Sequence, residues 1–292
     1  MSKAISLEEN IYWVGVNDRE TDIFEALWPL PDGVSYNSYL IVDEKVVLVD
    51  TVSNTYSDLL IDNIKSVIGD RKIDYLIINH MEPDHSCSIK SLKAEYPELK
   101  IVGNNKTESF LNGYYGLQDV KTIKEGDTIN LGEKELEFFI TPMLHWPETM
   151  MTFEKENNIL FSGDAFGSFG SLDGGILDSD IDLEFFEDEI RRYFSNIVGK
   201  YSPIVQKTLS KLDDLEVNII AATHGPVWKE NPEYIIGQYD KLSSYEAEKG
   251  VAIIYGSMYG NTKEMAENVA LGLNKNGIKN VKIMDASRTD LS

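Results

Sequence analysis

The residues of this sequence best suited to chemistry form one short run with the pattern H-x-E-x-D-H, made of His80, Glu82, Asp84 and His85. Imidazole nitrogens and carboxylate oxygens are common protein ligands of divalent transition metals. Side chains two positions apart in an extended segment point to the same side, so His80 and Glu82 can face one metal ion. The turn at Pro83 can direct Asp84 and His85 toward another ion. The run therefore predicts a site for two metals.

Three further candidate ligands also follow apolar segments. His145 stands in TPMLHWPE, Asp164 ends LFSGD and His224 ends AATH. The Asp164 carboxylate is placed where it could bridge two ions, and His145 and His224 would then complete one sub-site each. Two divalent cations, three carboxylates and a bridging hydroxide sum to zero charge. The same carboxylates without metals would repel one another, which weighs against a metal-free explanation.

Each of these residues also has a purely structural explanation. A single histidine at a strand end is more often a cap or a satisfied polar residue than a ligand. All four histidines of the chain, however, follow predicted strands and stand near suitable carboxylates, so the pattern as a whole favours a metal site. Trp146 and Pro147 could shield a pocket from water, but simple packing is the expected role. Cys87 could be redox-active, but a small buried residue is expected.

Such ligands need a rigid sheet that holds its strand ends together. Runs rich in β-branched residues alternate with longer amphipathic runs, which predicts a mixed α/β fold. The predicted strands are SYNSYLIVD, KVVLVDT, DYLIIN, LKIVG near Ile101, ELEFFITP near Phe138, NILFSGD near Leu160 and VNIIAATHG near Ile220. The predicted helices cover residues 56–68, 183–198, 203–212 and 232–248.

The pattern changes near residue 250. Lys249-Gly250 is followed by the short apolar strand VAIIY, a glycine-containing loop and a helix from about Thr262. No internal repeat or low-complexity tract separates the two parts. A second domain is therefore predicted after a short linker within residues 247–250.

Composition excludes several classes of protein without choosing a function. The 292 residues, 42% hydrophobic and 26% charged, are typical of one large globular domain or of one large and one small domain. The net charge of −22 repels nucleic acid and anionic membranes, so neither is an expected partner. A solvated acidic surface explains that charge as well as a specific basic partner would. The start MSKAISLEENIYWVG lacks a signal-peptide pattern and no stretch has the length of a membrane span. With a single cysteine, which fits a reducing compartment, the expected location is the cytoplasm.

In their order, the motifs H-x-E-x-D-H, HW, SGD and THG resemble those of the metallo-β-lactamase superfamily, and Glu82 marks a branch of it. Hydrolases of that superfamily usually carry histidine there, whereas flavodiiron proteins carry glutamate, a hard oxygen ligand that shifts preference from zinc toward iron. The resemblance runs through about residues 1 to 290. It implies an α/β protein with a metallo-β-lactamase-like αββα sandwich over residues 1–249 and the start of a flavodoxin-like doubly wound domain over residues 250–292. It also implies that one iron is bound by His80, Glu82 and His145, the other by Asp84, His85 and His224, and that Asp164 bridges them.

The segment VAIIYGSMYGNTKEMAENVA resembles the first strand, phosphate loop and first helix of a flavodoxin. The candidate FMN contacts are Ser257, Met258, Tyr259, Gly260, Asn261 and Thr262. Hydroxyl and amide groups, a close backbone approach and a helix N-terminus suit a phosphate, although a plain strand-to-helix turn has the same pattern. The 42 residues from Val251 onward are fewer than the order of 100 that such a domain needs. The sequence is therefore expected to be truncated, with FMN binding expected of the full-length protein and doubtful for this chain.

The resemblance implies an oxidoreductase in which FMN passes electrons to two irons, where dioxygen is reduced to water or nitric oxide to nitrous oxide. It implies a donor such as rubredoxin or a flavin reductase, and a head-to-tail homodimer. A diiron sensor that binds dioxygen without turnover is one alternative, and an intact flavodoxin domain would argue against it. A zinc hydrolase is the other, and both Glu82 and the flavodoxin-like segment argue against it. The choice between dioxygen and nitric oxide stays open.

Overall fold

The computed structural model describes residues 4–289, so the first three and last three positions of the predicted domain ranges lie outside the described residues. The chain divides into two compact units between Ser244 and Tyr245. The boundary predicted after residue 249 lies a few positions further along the chain. Each unit is described by itself.

Within its described residues, 4–244, the first unit is built from short strands and seven α-helices. Its strands are β1 (Ile5–Glu8), β2 (Ile11–Trp13), β3 (Val16–Asp18), β4 (Ile23–Phe24), β5 (Trp28–Pro29), β6 (Val34–Tyr36), β7 (Tyr39–Val42), β8 (Val46–Val49), β9 (Tyr75–Ile77), β10 (Lys100–Gly103), β11 (Val120–Thr122), β12 (Thr128–Asn130), β13 (Glu135–Ile140), β14 (Met150–Glu154), β15 (Ile159–Gly163) and β16 (Ile219–Ala222). Its helices are α1 (Ser57–Ile68), α2 (Pro83–Ser86), α3 (Ile89–Glu95), α4 (Asn105–Tyr115), α5 (Leu183–Tyr193), α6 (Ser202–Leu212) and α7 (Pro232–Ser243).

Two sheets form the frame of this unit. The larger has the strand order β1-β2-β7-β8-β9-β10-β11, and the smaller has β12 to β16 in sequence order. Strands β8 to β11 run parallel to one another, as do β15 and β16. The remaining strands form the small antiparallel pairs β3–β6 and β4–β5. Parallel neighbours end at a common edge, which gathers the loops that follow them.

Alternation of side chains along the strands divides the core into layers. Val47 and Val49 of β8 belong to one buried cluster together with Phe138 of β13, so the inner faces of the two sheets share a core. Leu48, between those two valines, belongs to a second cluster that includes Leu60 of α1. Successive strand residues point to opposite faces, so one face of β8 meets the other sheet and one meets helices.

The smaller sheet has the same division. Leu160 of β15 clusters with buried residues of the helices that follow it, Ile190 of α5, Val205 of α6 and Ile235 of α7. Phe161, the next residue, belongs to the inter-sheet cluster. Helices thus cover the outer faces of both sheets, and the predicted αββα sandwich is confirmed.

Six of the seven predicted strands of this unit are present as single strands, and the helix predicted over residues 56–68 is α1. The segment SYNSYLIVD, predicted as one strand, is divided between β6 and β7, which belong to different sheets. Two helices differ from the prediction. The helix predicted over 183–198 is α-helical only to Tyr193 and continues as the π-helical segment Phe194–Val198. The helix predicted over 232–248 ends at Ser243, because Tyr245 adopts a positive φ of 59°. Among residues 4–289, no helix combines the length and the apolar character that crossing a bilayer requires.

The described part of the second unit, residues 245–289, contains one β-α-β element. Its parts are β17 (Val251–Tyr255), α8 (Asn261–Lys275) and β18 (Val281–Asp285). The two strands pair in parallel, as a strand, crossover helix and strand must in a doubly wound fold. The predicted strand VAIIY and the helix from about Thr262 are therefore confirmed.

Candidate metal centre

The loops after four strands bring the predicted ligands of the first unit together. His80 follows β9, while Asp164 and His224 follow β15 and β16, which are parallel neighbours. His145 lies in the loop between β13 and β14. The donor atoms form two groups, and within each group they all lie within 4.8 Å of one another. The first group is His80, Glu82, His145 and Asp164, and the second is Asp84, His85 and His224.

In the first group, the donor atoms surround one point. His145 Nε2 lies 2.9 Å from Asp164 Oδ2 and 3.1 Å from Glu82 Oε2. His80 Nε2 lies 3.0 Å from Glu82 Oε2 and 3.6 Å from Asp164 Oδ2. Ligands about 2.0–2.2 Å from a common ion are about 3 Å from each other, which is the spacing found here. The group fits one metal ion.

The second group has similar spacing. His85 Nε2 lies 3.0 Å from His224 Nε2 and 3.2 Å from Asp84 Oδ2. His224 Nε2 lies 3.3 Å from Asp84 Oδ2. Asp164 Oδ1 is 3.0 Å from His85 Nε2, while Asp164 Oδ2 faces the first group. The two oxygens of one carboxylate therefore point to different groups, which is the geometry of a bridging ligand.

The chemistry of this donor set fits metal ions better than it fits an ordinary polar core. Both Asp84 oxygens and His85 Nδ1 are buried and lack a hydrogen-bond partner among the described residues, which is costly for polar atoms. His85 and His224 direct nitrogen atoms at each other, and a shared cation relieves that arrangement. Imidazole mixed with several carboxylates suits iron as well as zinc. Metal binding by these residues stays a prediction, and the spacing of their donor atoms agrees with it.

The pKa shifts in the site point to a need for positive charge. Burial by itself would lower the pKa of His145, but hydrogen bonds to Asp164 and Glu82 raise it to about 9. Burial opposes the same change at His85, whose pKa the charges of Asp84 and Asp164 raise to about 9. Burial would raise the pKa of Asp164, yet the charges of nearby histidines, His85 foremost, hold it well below its usual range. These carboxylates stabilise positive charge nearby, and a divalent cation would supply that charge in place of protons on the histidines.

A buried network holds the strand end that carries His80. Asp50 accepts hydrogen bonds from the backbone N–H of Asn79 at 2.8 Å and from its side-chain amide at 3.0 Å. Thr152 Oγ1 donates to Asn79 Oδ1 at 2.8 Å. Burial raises the pKa of Asp50 to about 6, although these hydrogen bonds oppose the shift. Sequence reasoning missed Asp50, whose only sequence signal is its place at the end of a predicted strand.

The other ligands also have partners behind them. Thr223 Oγ1 donates to Asp164 Oδ1 at 2.6 Å, and His224 Nδ1 donates to the carbonyl of Ser35 at 2.7 Å. His80 Nδ1 lies 3.0 Å from Glu148 Oε1. A hydrogen bond to the second ring nitrogen fixes which nitrogen is free to bind a metal. Sequence reasoning missed Glu148, although the run HWPE places this carboxylate three positions after a candidate ligand.

A cavity of about 530 Å³ opens onto the first and second groups. It is lined by Phe24 and Glu25 of the β4–β5 hairpin, by Tyr36 and by Trp146, beside the ligands Glu82, Asp84 and His145. Although Glu25 is exposed as a residue, burial of its carboxyl and the neighbouring Glu82 raise its pKa to about 9. The cavity gives a small substrate access to the ligand groups. Sequence reasoning missed Glu25, which reaches the site through tertiary folding alone.

Two neighbours of the ligands match their expected roles in part. Trp146 is half-buried and packs edge to face on His80, with ring centroids 5.2 Å apart, and it also lines the cavity. Packing and shielding are therefore combined in one side chain. Cys87 is half-buried, and the Tyr115 hydroxyl donates to its sulfur at 3.7 Å. The Cys87 side chain is thus less buried than expected.

The candidate FMN contacts of the second unit lie between β17 and α8, as the phosphate-loop interpretation requires. Gly260 has a φ of 93°, and its N–H donates to Ser257 Oγ at 2.9 Å. Met258 and Tyr259 are each 89% exposed, and Asn261 and Thr262 begin the helix. The loop precedes a helix N-terminus that can bind an anion. FMN binding here stays a prediction.

Gly225→Ala is expected to destabilise the first unit and to weaken metal binding by His224. Gly225 has a φ of +73°, and a Cβ there would lie 2.1 Å from Ser168 Oγ and 3.0 Å from Ser168 N. Alanine is strained in the left-handed conformation of Gly225, and its Cβ would clash with Ser168. Together these two effects should lower the free energy of unfolding by about 1–3 kcal/mol. Denaturant titration of the metal-free protein measures that loss.

Gly237→Ala is the matched control, because Gly237 lies in α7 with open space at its Cβ. This substitution should raise the free energy of unfolding by up to about 1 kcal/mol. Equal stability of the two variants would contradict the prediction.

Comparison with known proteins gives two family matches. Residues 34–225 match the model of the ODP family beta lactamase, and residues 253–292 match the model of flavodoxin. The first match contains all the residues of the two ligand groups. The second begins in β17 and contains the six candidate FMN contacts.

Relatives of known sequence cover nearly the whole chain. An uncharacterized protein of Methanocaldococcus jannaschii is 38% identical over 99% of this chain and 72% of its own length. The anaerobic nitric oxide reductase flavorubredoxin of Salmonella typhi is 36% identical over 98% of this chain and 61% of its own length. This chain therefore spans about three fifths of the flavorubredoxins that it resembles.

Solved structures with the same fold include a flavodiiron protein and an oxidoreductase. The flavodiiron protein from Giardia intestinalis matches with a TM-score of 0.93 at 28% identity, over 99% of this chain and 71% of that one. Rubredoxin oxygen:oxidoreductase from Desulfovibrio gigas matches with a TM-score of 0.94 at 29% identity, over 98% of this chain and 73% of that one. The similarity extends through both units of this chain.

Proposed function

Because the chain belongs to the flavodiiron family of oxidoreductases, with an ODP-type β-lactamase domain followed by a flavodoxin-type segment, we propose that it reduces dioxygen to water, nitric oxide to nitrous oxide, or both, at a two-iron site. The proposed ligands are His80, Glu82 and His145 for one iron and Asp84, His85 and His224 for the other, with Asp164 between them. Relatives named for nitric oxide and for oxygen support both substrates.

One observation carries the two-metal part of this proposal. Asp164 Oδ2 lies 2.9 Å from His145 Nε2, and Asp164 Oδ1 lies 3.0 Å from His85 Nε2. His145 and His85 belong to different ligand groups. A carboxylate shared in this way holds two ions side by side, which a hydrolase with one metal does not need. Glu82 adds a second oxygen ligand to the first group and favours iron over zinc.

The residues of this chain would bind and position the metals and limit access to them. Irons held by these residues would supply the electrons that reduce a small substrate. The cavity bordered by Phe24, Tyr36 and Trp146 admits such a substrate and surrounds it with aromatic side chains. Holding two nitric oxide molecules or one dioxygen in this space converts an encounter between free molecules into a reaction of bound ones.

The remaining parts of the proposal concern electron supply and assembly. The loop from Ser257 to Thr262 would bind the FMN phosphate, and rubredoxin or a flavin reductase would reduce the flavin. A head-to-tail homodimer would place the flavin of one subunit beside the irons of the other. The single cysteine and the net charge of −22 support a cytoplasmic location without nucleic-acid or membrane partners.

A single-turnover experiment tests the proposed function without requiring bound flavin. The protein is purified without oxygen, analysed for iron and zinc, reduced with dithionite, freed of excess reductant and mixed with nitric oxide. Two nitric oxide molecules take up two electrons and two protons to give one nitrous oxide and one water. We therefore expect two irons per chain and about one nitrous oxide per two-iron site. A parallel sample mixed with dioxygen should consume it at a rate that depends on iron loading.

The outcomes separate the competing functions. If the protein contains two irons but neither gas oxidises them, the result would support a protein that binds metals without reducing nitric oxide or dioxygen. Two irons that bind dioxygen reversibly, with no water formed, would support the sensor. Two zincs, with zinc acquired during expression excluded by iron-limited and iron-rich cultures, would overturn the proposal in favour of a hydrolase.

A further inference from the structure

The two ligand groups differ in what stands behind their histidines. His80 Nδ1 lies 3.0 Å from Glu148 Oε1, and the two side chains are completely buried. His224 Nδ1 instead donates to the neutral backbone carbonyl of Ser35. His85 Nδ1 is buried without a hydrogen-bond partner among the described residues. Among the described residues, a carboxylate is therefore hydrogen-bonded to the second ring nitrogen of His80, whereas the second ring nitrogens of His85 and His224 have no carboxylate as a hydrogen-bond partner.

Glu148 is held in place from several directions. Its Oε1 also accepts a hydrogen bond from the backbone N–H of Met81 at 2.9 Å. The side-chain amide of Asn104, the N-cap residue of α4, donates to the Glu148 backbone carbonyl. Glu148 Oε2 is buried and has no hydrogen-bond partner among residues 4–289. Glutamine could satisfy the same two donors through its own Oε1, so shape alone does not require a carboxylate here.

We propose that Glu148 is a positioning residue that makes the two metal sub-sites unequal. Its carboxylate holds His80 with the hydrogen on Nδ1, which leaves Nε2 free for the metal and makes the imidazole a stronger electron donor. The sub-site of His80, Glu82 and His145 therefore binds its metal more tightly than the other sub-site and holds its iron at the lower reduction potential. This inference rests on the proposed two-iron function, because it distinguishes the two irons.

Charge around the two groups supports the same direction. Glu82 and the supporting Glu148 are both close to His80, and Asp164 Oδ2 is also directed to this group. The second group has Asp84 and the other oxygen of Asp164, and no carboxylate is hydrogen-bonded to His224. The charge of the buried Asp50 acts on His85 and also on His80, so it reaches both groups, whereas Glu148 is in contact with the first group alone. Negative charge in a dry site stabilises the more positive oxidation state of a metal. The iron near Glu148 should accordingly be the first to lose an electron.

Glu148→Gln separates the charge from the shape. The variant keeps an acceptor for Met81 N–H and for His80 Nδ1–H but removes the negative charge. In anaerobic titrations with cobalt(II), the tighter of two binding steps should weaken by about 10–100-fold, while the weaker step stays unchanged. In reductive titrations of the iron-loaded protein, the EPR signal of the one-electron-reduced state should reach a lower maximum, because the two potentials move closer together.

Glu154→Gln is the matched control. Glu154 is equally buried, but its carboxylate accepts hydrogen bonds from the backbone of Glu156 and Asn157 at a turn. Its substitution should leave both cobalt affinities and the EPR amplitude at wild-type values. Wild-type behaviour of Glu148→Gln in both titrations would overturn the inference and leave the proposed function intact. Absence of two irons from the wild-type protein would instead overturn the proposed function, and the inference with it.

A measurement on the wild-type protein guards against a variant that fails to fold. In the zinc-loaded protein, which is diamagnetic, NMR of 15N-labelled histidine should show His80 coordinated through Nε2, with a hydrogen-bonded proton on Nδ1 at low field. Assignment of the resonance uses His80→Gln. Coordination of His80 through Nδ1, or a Nδ1 proton in fast exchange with water, would overturn the inference.

Discussion

Asp164→Asn is expected to empty both metal positions and to reduce turnover to background. Asp164 is 2% exposed, and its two oxygens face different ligand groups. Asparagine keeps the shape and an acceptor for the Thr223 hydroxyl, but its amide neither carries charge nor bridges two cations. The remaining charges, Glu82 and Asp84, leave each ion with one carboxylate. Iron analysis should fall from two per chain to near zero.

The metal-free form of the same variant should also lose stability. Among the described residues, the histidines of both groups lie within 4 Å of Asp164, and removal of one partner from a buried charge pair costs about 3–5 kcal/mol. Denaturant unfolding of the apo protein measures this loss. The control is Asp178→Asn, because Asp178 is a buried carboxylate that accepts backbone hydrogen bonds from residues 229–231, outside the ligand groups. It should lose stability and keep two irons. Retention of both irons by Asp164→Asn would rule out the bridge.

The convergence of the ligands could be predicted because it depends on regular local patterns. The runs DYLIIN, NILFSG and VNIIAAT predict strands, and each is followed directly by a residue of the ligand groups, which are His80, Asp164 and His224. Because β15 and β16 are parallel neighbours, Asp164 and His224 meet at one edge. His80 follows β9 of the other sheet and joins them because the two sheets pack together. His145 is a harder case, since it lies several positions beyond the end of β13, and its loop folds back on the site through tertiary contacts.

The residues that sequence reasoning missed are those whose roles depend on tertiary contacts. Glu148 reaches His80 across 68 positions of sequence, and Asp50 reaches Asn79 across 29. Glu25 enters the cavity from a hairpin of two-residue strands, which are too short to show a periodic pattern. The long π-helical continuation after Tyr193 has no distinct pattern either, because its apolar residues suit an α-helix equally well.

The second large prediction is that pH acts in opposite directions on the metal-free protein and on metal binding. The pKa values of His85 and His145 are raised from 6.5 to about 9 in the folded protein. A group whose pKa is raised on folding stabilises the fold fully below pH 6.5, and that contribution is lost as pH rises through about 9. The free energy of unfolding of the apo protein should therefore fall between these two values.

Metal affinity should rise with pH over the same range. A metal ion binds the neutral imidazole, so it must displace a proton from each protonated histidine. The apparent affinity for cobalt(II) should rise by about tenfold per pH unit for each proton released, and level off above pH 9. Calorimetric titration in buffers of different ionisation enthalpy counts those protons directly. His145→Gln removes one of the titrating groups, so its affinity should be lower and its pH dependence shallower by about one proton. A cobalt affinity that is independent of pH, or an apo protein that gains stability from pH 6.5 to 9, would mean that the histidines are already neutral. The seven side chains of the two ligand groups would then form a polar core with no excess negative charge for two divalent ions to neutralise.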